Sequence, residues 1–156
     1  MSRSWFAALA LLSGCVSSLR LGRPVEPPIR PSDEPPPGLA ALCVMRPQES
    51  DSIATYAVRV DGLVEGALRG PSWFCKHVTP GFHRVAIRVD DPGALLEPKE
   101  TTFVVEPGQR VFLRQETHLW LGFIELAWID ERDAAAAIAS ARNLVLRGST
   151  TARSFR

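Results

Sequence analysis

Thr55-Tyr56-Ala57-Val58-Arg59-Val60-Asp61-Gly62-Leu63-Val64-Glu65-Gly66-Ala67-Leu68-Arg69 is the stretch that decides the fold. Its first half alternates, which puts Tyr56, Val58 and Val60 on one face of an extended strand. Asp61-Gly62 is a dipeptide suited to the tight turn of a hairpin. Leu63 to Arg69 is then the return strand, and Gly66 within it marks a bulge or the close approach of another group.

The same grammar extends in both directions. Ala40 to Met45 is a short apolar run ending at Arg46-Pro47, and it reads as a strand. Trp73 to Val78 is another, closed by Thr79-Pro80-Gly81, where proline then glycine suits a type II turn. Phe82 to Val89 alternates, with Val85, Ile87 and Val89 on one face, and stops at Asp90-Asp91-Pro92-Gly93. Thr101 to Glu106 and Arg110 to Thr117 read as a pair around Pro107-Gly108. Phe123 to Ile129 completes the strands. Seven or eight short strands with regular turns predict a mostly β protein, an antiparallel β-sandwich. After Ile129 the pattern changes. Asp130 is placed to cap one short C-terminal helix over Ala134 to Arg142, with Ala134, Ile138 and Ala141 on one face. That helix is expected on the sandwich edge. The domain is expected over residues 39–148, with 149–156 as a frayed tail.

Ahead of the domain the sequence reads as an address. Arg3 supplies a positive start, and Trp5 to Leu12 is an apolar run of eight residues. A spanning helix needs about 20 apolar residues, so this run fits the centre of a secretory signal instead. Leu12-Ser13-Gly14-Cys15 looks like the lipobox of bacterial lipoproteins. In that class the cysteine thiol receives diacylglycerol, the chain is cut before it, and the new amino group is acylated. Residues 1–14 are then a discarded signal peptide, and lipid on Cys15 is the attachment to a membrane. Several acyl chains are needed because one gives only marginal, reversible binding. Val16, rather than an acidic residue, follows the cysteine, which resembles the pattern of outer-membrane lipoproteins. An ordinary secreted protein is the plainer alternative.

Residues 15–38 read as a tether. Seven of the 13 prolines fall between Val16 and Gly38. Proline removes backbone donors and favours an extended helix rising about 3.1 Å per residue, a semi-rigid spacer. A docking ligand for an aromatic groove is the alternative reading of the same residues.

Charge narrows the partners. Lys and Arg number 18 against 17 Asp and Glu. Arg3 is the only charge before Cys15, so cleavage there leaves a neutral chain with no electrostatic reason to bind nucleic acid. The end of the chain after Asp133 carries Arg142, Arg147, Arg153 and Arg156 without an acid, which suits a solvated tail or contact with anionic lipid or cell-wall polymer.

One ordered set of motifs carries a resemblance. Val58-Arg59-Val60-Asp61-Gly62, then Gly66-Ala67-Leu68, Gly70, Trp73-Phe74 and Pro80-Gly81-Phe82-His83-Arg84-Val85, resembles a bacterial lipoprotein domain known as domain-of-unknown-function family 2846, and the wider set of PEGA-like surface modules. The likeness covers roughly residues 39 to 145. It implies an envelope location and a β-sandwich, and it brings no catalytic residues. The connection through Asp90-Asp91-Pro92-Gly93 and Lys76 within the aromatic strand depart from the pattern.

Chemistry is sparse. The chain has no Gly-x-Ser-x-Gly elbow, no phosphate-binding glycine loop and no His-Glu-x-x-His. His77 lies two residues from Cys75, and with Cys43 the three make only a weak thiolate–imidazole set. Cys43 and Cys75 are either two buried thiols or a disulfide. His83 is expected to bond a turn at the end of the core, and no acid near it in sequence orients it for catalysis. The acidic clusters at Asp90-Asp91 and Asp130-Glu131-Asp133 suit a turn and a helix start. Trp120, Phe123 and Trp128 are the candidate binding patch, with core filling as the competing role. The expectation is therefore a non-enzymatic envelope lipoprotein of structural or interaction type, with no cofactor and no metal. Its expected partners are the membrane, through Cys15, and an envelope protein or cell-wall polymer. A small-ligand or carbohydrate-binding module is the rival, and an envelope hydrolase comes last.

Overall fold

The computed structural model describes residues 21–22, 28–48, 54–91, 93, 95–118, 121–139 and 141–146. In chain order the elements are β1 (Leu21–Gly22), β2 (Ala40–Arg46), β3 (Thr55–Val60), β4 (Leu63–Arg69), β5 (Ser72–Val78), β6 (Gly81–Val89), β7 (Lys99–Val105), β8 (Arg110–His118), β9 (Phe123–Ile129), α1 (Glu131–Ala139), β10 (Arg142–Asn143) and β11 (Val145–Leu146). Two sheets form the body. One runs β10-β5-β2-β8-β9 and the other β4-β3-β6-β7, while β1 and β11 make a separate two-stranded ladder.

The hairpin expected over Thr55 to Arg69 forms, with β3 and β4 antiparallel. Asp61 and Gly62 take φ of 50° and 85°, the two left-handed positions that a hairpin turn of this type requires. The ladder slips between Val58 and Arg59, where Gly66 and then Val64 are the partners, so Glu65 is the bulged residue. Gly66 also answers a packing need. A Cβ at that position would overlap the Phe74 ring of β5.

The core lies between the sheets. Leu42, Val44, Phe74, Leu113 and Ile124 of the five-stranded sheet meet Tyr56, Val58, Leu68, Val85, Ile87 and Phe103 of the four-stranded one. Each fully buried aliphatic side chain of this kind contributes about 1.5–3 kcal/mol through area removed from water. The alternating positions of β6 and β7 supply one side of that layer, as period-2 patterning demands.

β2 is buried on both faces along its whole length, which explains its continuous apolar run. Its second face, carrying Cys43 and Met45, packs with Trp73, Phe112 and α1 through Ala134. The helix therefore covers the outward face of the five-stranded sheet rather than an edge. Asp130 caps it, accepting the Asp133 amide at 2.8 Å. The helix ends at Ala139, earlier than expected, and Arg142 instead pairs with β5.

Two expectations about pairing are corrected. The sandwich is not wholly antiparallel, because β2–β8 and β5–β10 run parallel. Nor do β7 and β8 pair around Pro107-Gly108, since they belong to different sheets. That turn crosses between layers and is stitched to the start of β2, with the Gly108 amide on the Leu39 carbonyl at 2.8 Å. A proline–glycine turn reverses the chain, but it does not say which sheet the next strand joins.

Described residues of the segment read as a spacer touch the domain. Leu21 and Gly22 pair with Leu146 and Val145. Arg110 donates to the Pro31 carbonyl at 3.0 Å. No helix among the described residues is long and apolar enough to cross a membrane.

Candidate functional site

Histidine facing carboxylate is the arrangement from which acid–base or metal chemistry is built, and among the described residues it occurs at two places. The first grows out of the β3–β4 turn. Left-handed backbone at Asp61 turns its carboxylate toward the start of β6. There Oδ1 accepts the Arg84 amide at 2.9 Å and Oδ2 accepts His83 Nδ1–H at 2.6 Å. The Asp61 amide in turn donates to the Arg84 carbonyl at 2.9 Å. His83 Nε2 lies 2.7 Å from the Thr79 carbonyl. A carbonyl and a carboxylate only accept, so the ring satisfies both contacts at once only as an imidazolium, with a proton on each nitrogen.

The electrostatics agree. Burial works against the charged ring, but the hydrogen bonds to Asp61 and Thr79 and the Asp61 charge outweigh it and raise the His83 pKa above its ordinary value. The Arg84 amide is the main reason that the Asp61 carboxyl sits below its ordinary value; burial opposes this, and His83 adds to it. The ring also stacks on Phe103 at 5.2 Å between centroids, and Phe103 meets Trp128 at 5.1 Å. Trp128 donates to Thr101 at 3.2 Å, closing the gap between edge strands β7 and β9. Sequence reading placed His83 against a turn but saw no orienting acid. Asp61 supplies one from 22 residues away, a distance only the hairpin closes. With both nitrogens engaged, His83 has no lone pair to act as a base.

The second place is the outward face of β8 and β9. Glu116 and His118 alternate onto one side of β8, and Glu125 stands directly opposite Glu116 in the antiparallel ladder. His118 Nε2 lies 2.8 Å from Glu125 Oε2. Phe123, opposite His118, packs on its ring at 4.7 Å. One ligand atom from each of Glu116, His118 and Glu125 falls within 4.8 Å of the others. Arg114 Nε is 3.0 Å from Glu116 Oε1 but is not aligned as a hydrogen bond. This trio was missed in the sequence, because its members come from two strands whose register only the fold reveals.

No family model matches the chain, and no curated protein matches it.

The residues singled out from sequence fall as follows. Cys15 and Trp120 lie outside the described residues. Cys43 and Cys75 face each other in the β2–β5 register and form a disulfide, so the thiolate–imidazole set with His77 does not assemble. Phe123 and Trp128 are not brought together. They are five positions apart on β9 and point to opposite faces, Phe123 to the outward side beside His118 and Trp128 inward against Phe103. Lys76, a departure from the resembled pattern, pairs with Glu65 of the bulge. A buried polar network also went unread. Arg46, with no exposed surface, lies over the Tyr56 ring at 5.0 Å. Thr117 joins Tyr56, Gln115 and Gln48 within 3.0 Å.

Proposed function

We propose that the protein is a membrane-anchored envelope lipoprotein of non-enzymatic, structural or interaction type. The observation that carries this reading is the apolar run from Trp5 to Leu12 followed by Leu12-Ser13-Gly14-Cys15. Two structural features support it. The Cys43–Cys75 disulfide suits a chain exported to an oxidising compartment. The buried histidine has both nitrogens committed to holding a turn, which fits a scaffold better than a reaction centre. The resemblance to family 2846 points the same way.

The β1–β11 pairing adds a consequence for placement. Cys15 is six residues from Leu21, which spans at most about 20 Å of extended chain. The domain then rides close to the bilayer, and Pro28, Pro31 and Pro35 to Pro37 follow β1 in the chain, so they do not lengthen the link. Val16 after the cysteine favours the outer membrane. An envelope protein or cell-wall polymer is the partner this placement offers. The rival reading, a carbohydrate-binding aromatic patch, loses support because Phe123 and Trp128 occupy opposite faces of β9.

Metabolic labelling with an alkyne fatty acid tests the anchor. Wild type is expected to take the label and sediment with membranes, and Cys15→Ala is expected to do neither. Equal labelling of the two would refute lipidation at Cys15.

A further inference from the structure

We propose that Glu116, His118 and Glu125 bind one divalent transition-metal ion, with Zn2+ as the best match to the donor set. The residues sit on two hydrogen-bonded strands, so their backbone positions are fixed before any ligand arrives. α1 covers the same sheet face near Phe112 and Ile129 and leaves these three half-buried or exposed to solvent.

The geometry is close to what an ion requires. Tetrahedral Zn2+ with bonds of about 2.1 Å places its ligand atoms about 3.4 Å apart. The three donor atoms already lie within 4.8 Å of one another. Rotation of the exposed Glu125 side chain, with a smaller adjustment of half-buried Glu116, closes that difference without moving the backbone. One imidazole nitrogen and two carboxylates also suit zinc or copper better than calcium, which takes six to eight oxygens.

The electrostatics call for a cation. Like charges directly opposite in an antiparallel ladder destabilise the pair, and Glu116 faces Glu125. Arg114 approaches Glu116 from one side without forming an aligned hydrogen bond, so it offsets charge while leaving lone pairs for a metal. Phe123 packs on the His118 ring and limits its rotation, the orienting role that neighbours of metal ligands commonly fill. Three protein ligands leave a fourth position to water or to a donor from a partner. The ion would tie edge strand β9 to β8 at the end that α1 does not cover.

The test is equilibrium binding of Zn2+ to the purified full chain freed of metal with chelator, with the visible absorption of added Co2+ as a second readout. Wild type is expected to bind one ion per chain and to give ligand-field bands with Co2+. His118→Ala and the near-isosteric Glu125→Gln should each weaken binding at least about tenfold, while His77→Ala leaves it unchanged. Circular dichroism and the thermal midpoint check that each variant is folded, and Glu125→Gln carries the test if His118→Ala is not. Absence of saturable binding to wild type, or wild-type affinity in folded Glu125→Gln, would overturn the proposal.

Discussion

His83 and His118 each face a carboxylate, at 2.6 Å and 2.8 Å, yet the two pairs do opposite work. His83 is buried, and it spends both nitrogens on groups that can only accept. Its partner Asp61 is itself held by the Arg84 amide, so the cluster is closed. His118 is partly exposed, with one nitrogen on Glu125 and a second carboxylate nearby on Glu116. The contrast shows that proximity of histidine and acid does not define a site. What matters is whether hydrogen-bonding capacity is left over once the fold is satisfied.

Removing each ring should separate the two most strongly. His83→Ala strips a buried ring from the Phe103 stack and leaves Asp61 and the Thr79 carbonyl without their partner. We expect a loss of about 2–4 kcal/mol in denaturant unfolding. His118→Ala at the half-exposed site should stay within about 0.5 kcal/mol in the absence of metal. Equal losses would erase the distinction.

Acidity sharpens it next. The folded-state pKa of His83 is raised, so its stabilisation is complete below the unfolded value of about 6.5 and disappears as pH rises through the folded value. Asp61 behaves in the opposite sense, because its folded pKa is lowered. Its contribution is present above about 3.8 and is lost as pH falls through the lower folded value. The pair therefore stabilises most between these limits. Thermal midpoints measured from pH 5.5 to 9 should fall more steeply in wild type than in His83→Phe, which keeps the stack and lacks the charge. A slope unchanged by the substitution would place the pH dependence elsewhere.

The smallest expected effect is at the second site. Glu125→Gln relieves the charge opposed to Glu116 but weakens the contact with His118, so metal-free stability should shift by no more than about 0.5 kcal/mol. Calorimetry of the metal-free protein would reveal a larger loss, and that would mean the trio is structural.

Much of the fold was legible because alternation and turn dipeptides are local. The Thr55–Arg69 hairpin, the bulge near Gly66, the β9 boundaries and the Asp130 cap all rest on neighbours in sequence. Pairing across the layers was not legible. Pro107-Gly108 looked like a hairpin turn and proved to be a crossing, because sheet membership depends on contacts with distant β2. The same limit hid both histidine sites. Asp61 reads as a turn residue, and its carboxylate finds His83 only after β3, β4 and β6 align. Glu116 and Glu125 become opposed only in the β8–β9 register. Trp128 and Phe123 looked like one patch because strand parity is easily lost in a dense aromatic run, although five positions already imply opposite faces.

The most direct measurement is long-range 1H–15N NMR of the histidine side chains in the full-length protein during addition of Zn2+. Both His83 nitrogens should show the shifts of a protonated imidazolium near pH 6 and stay fixed throughout, while the His118 nitrogens move and saturate at one ion per chain. A His83 ring with an unprotonated nitrogen at that pH, or a zinc response at His83 instead of His118, would contradict these roles.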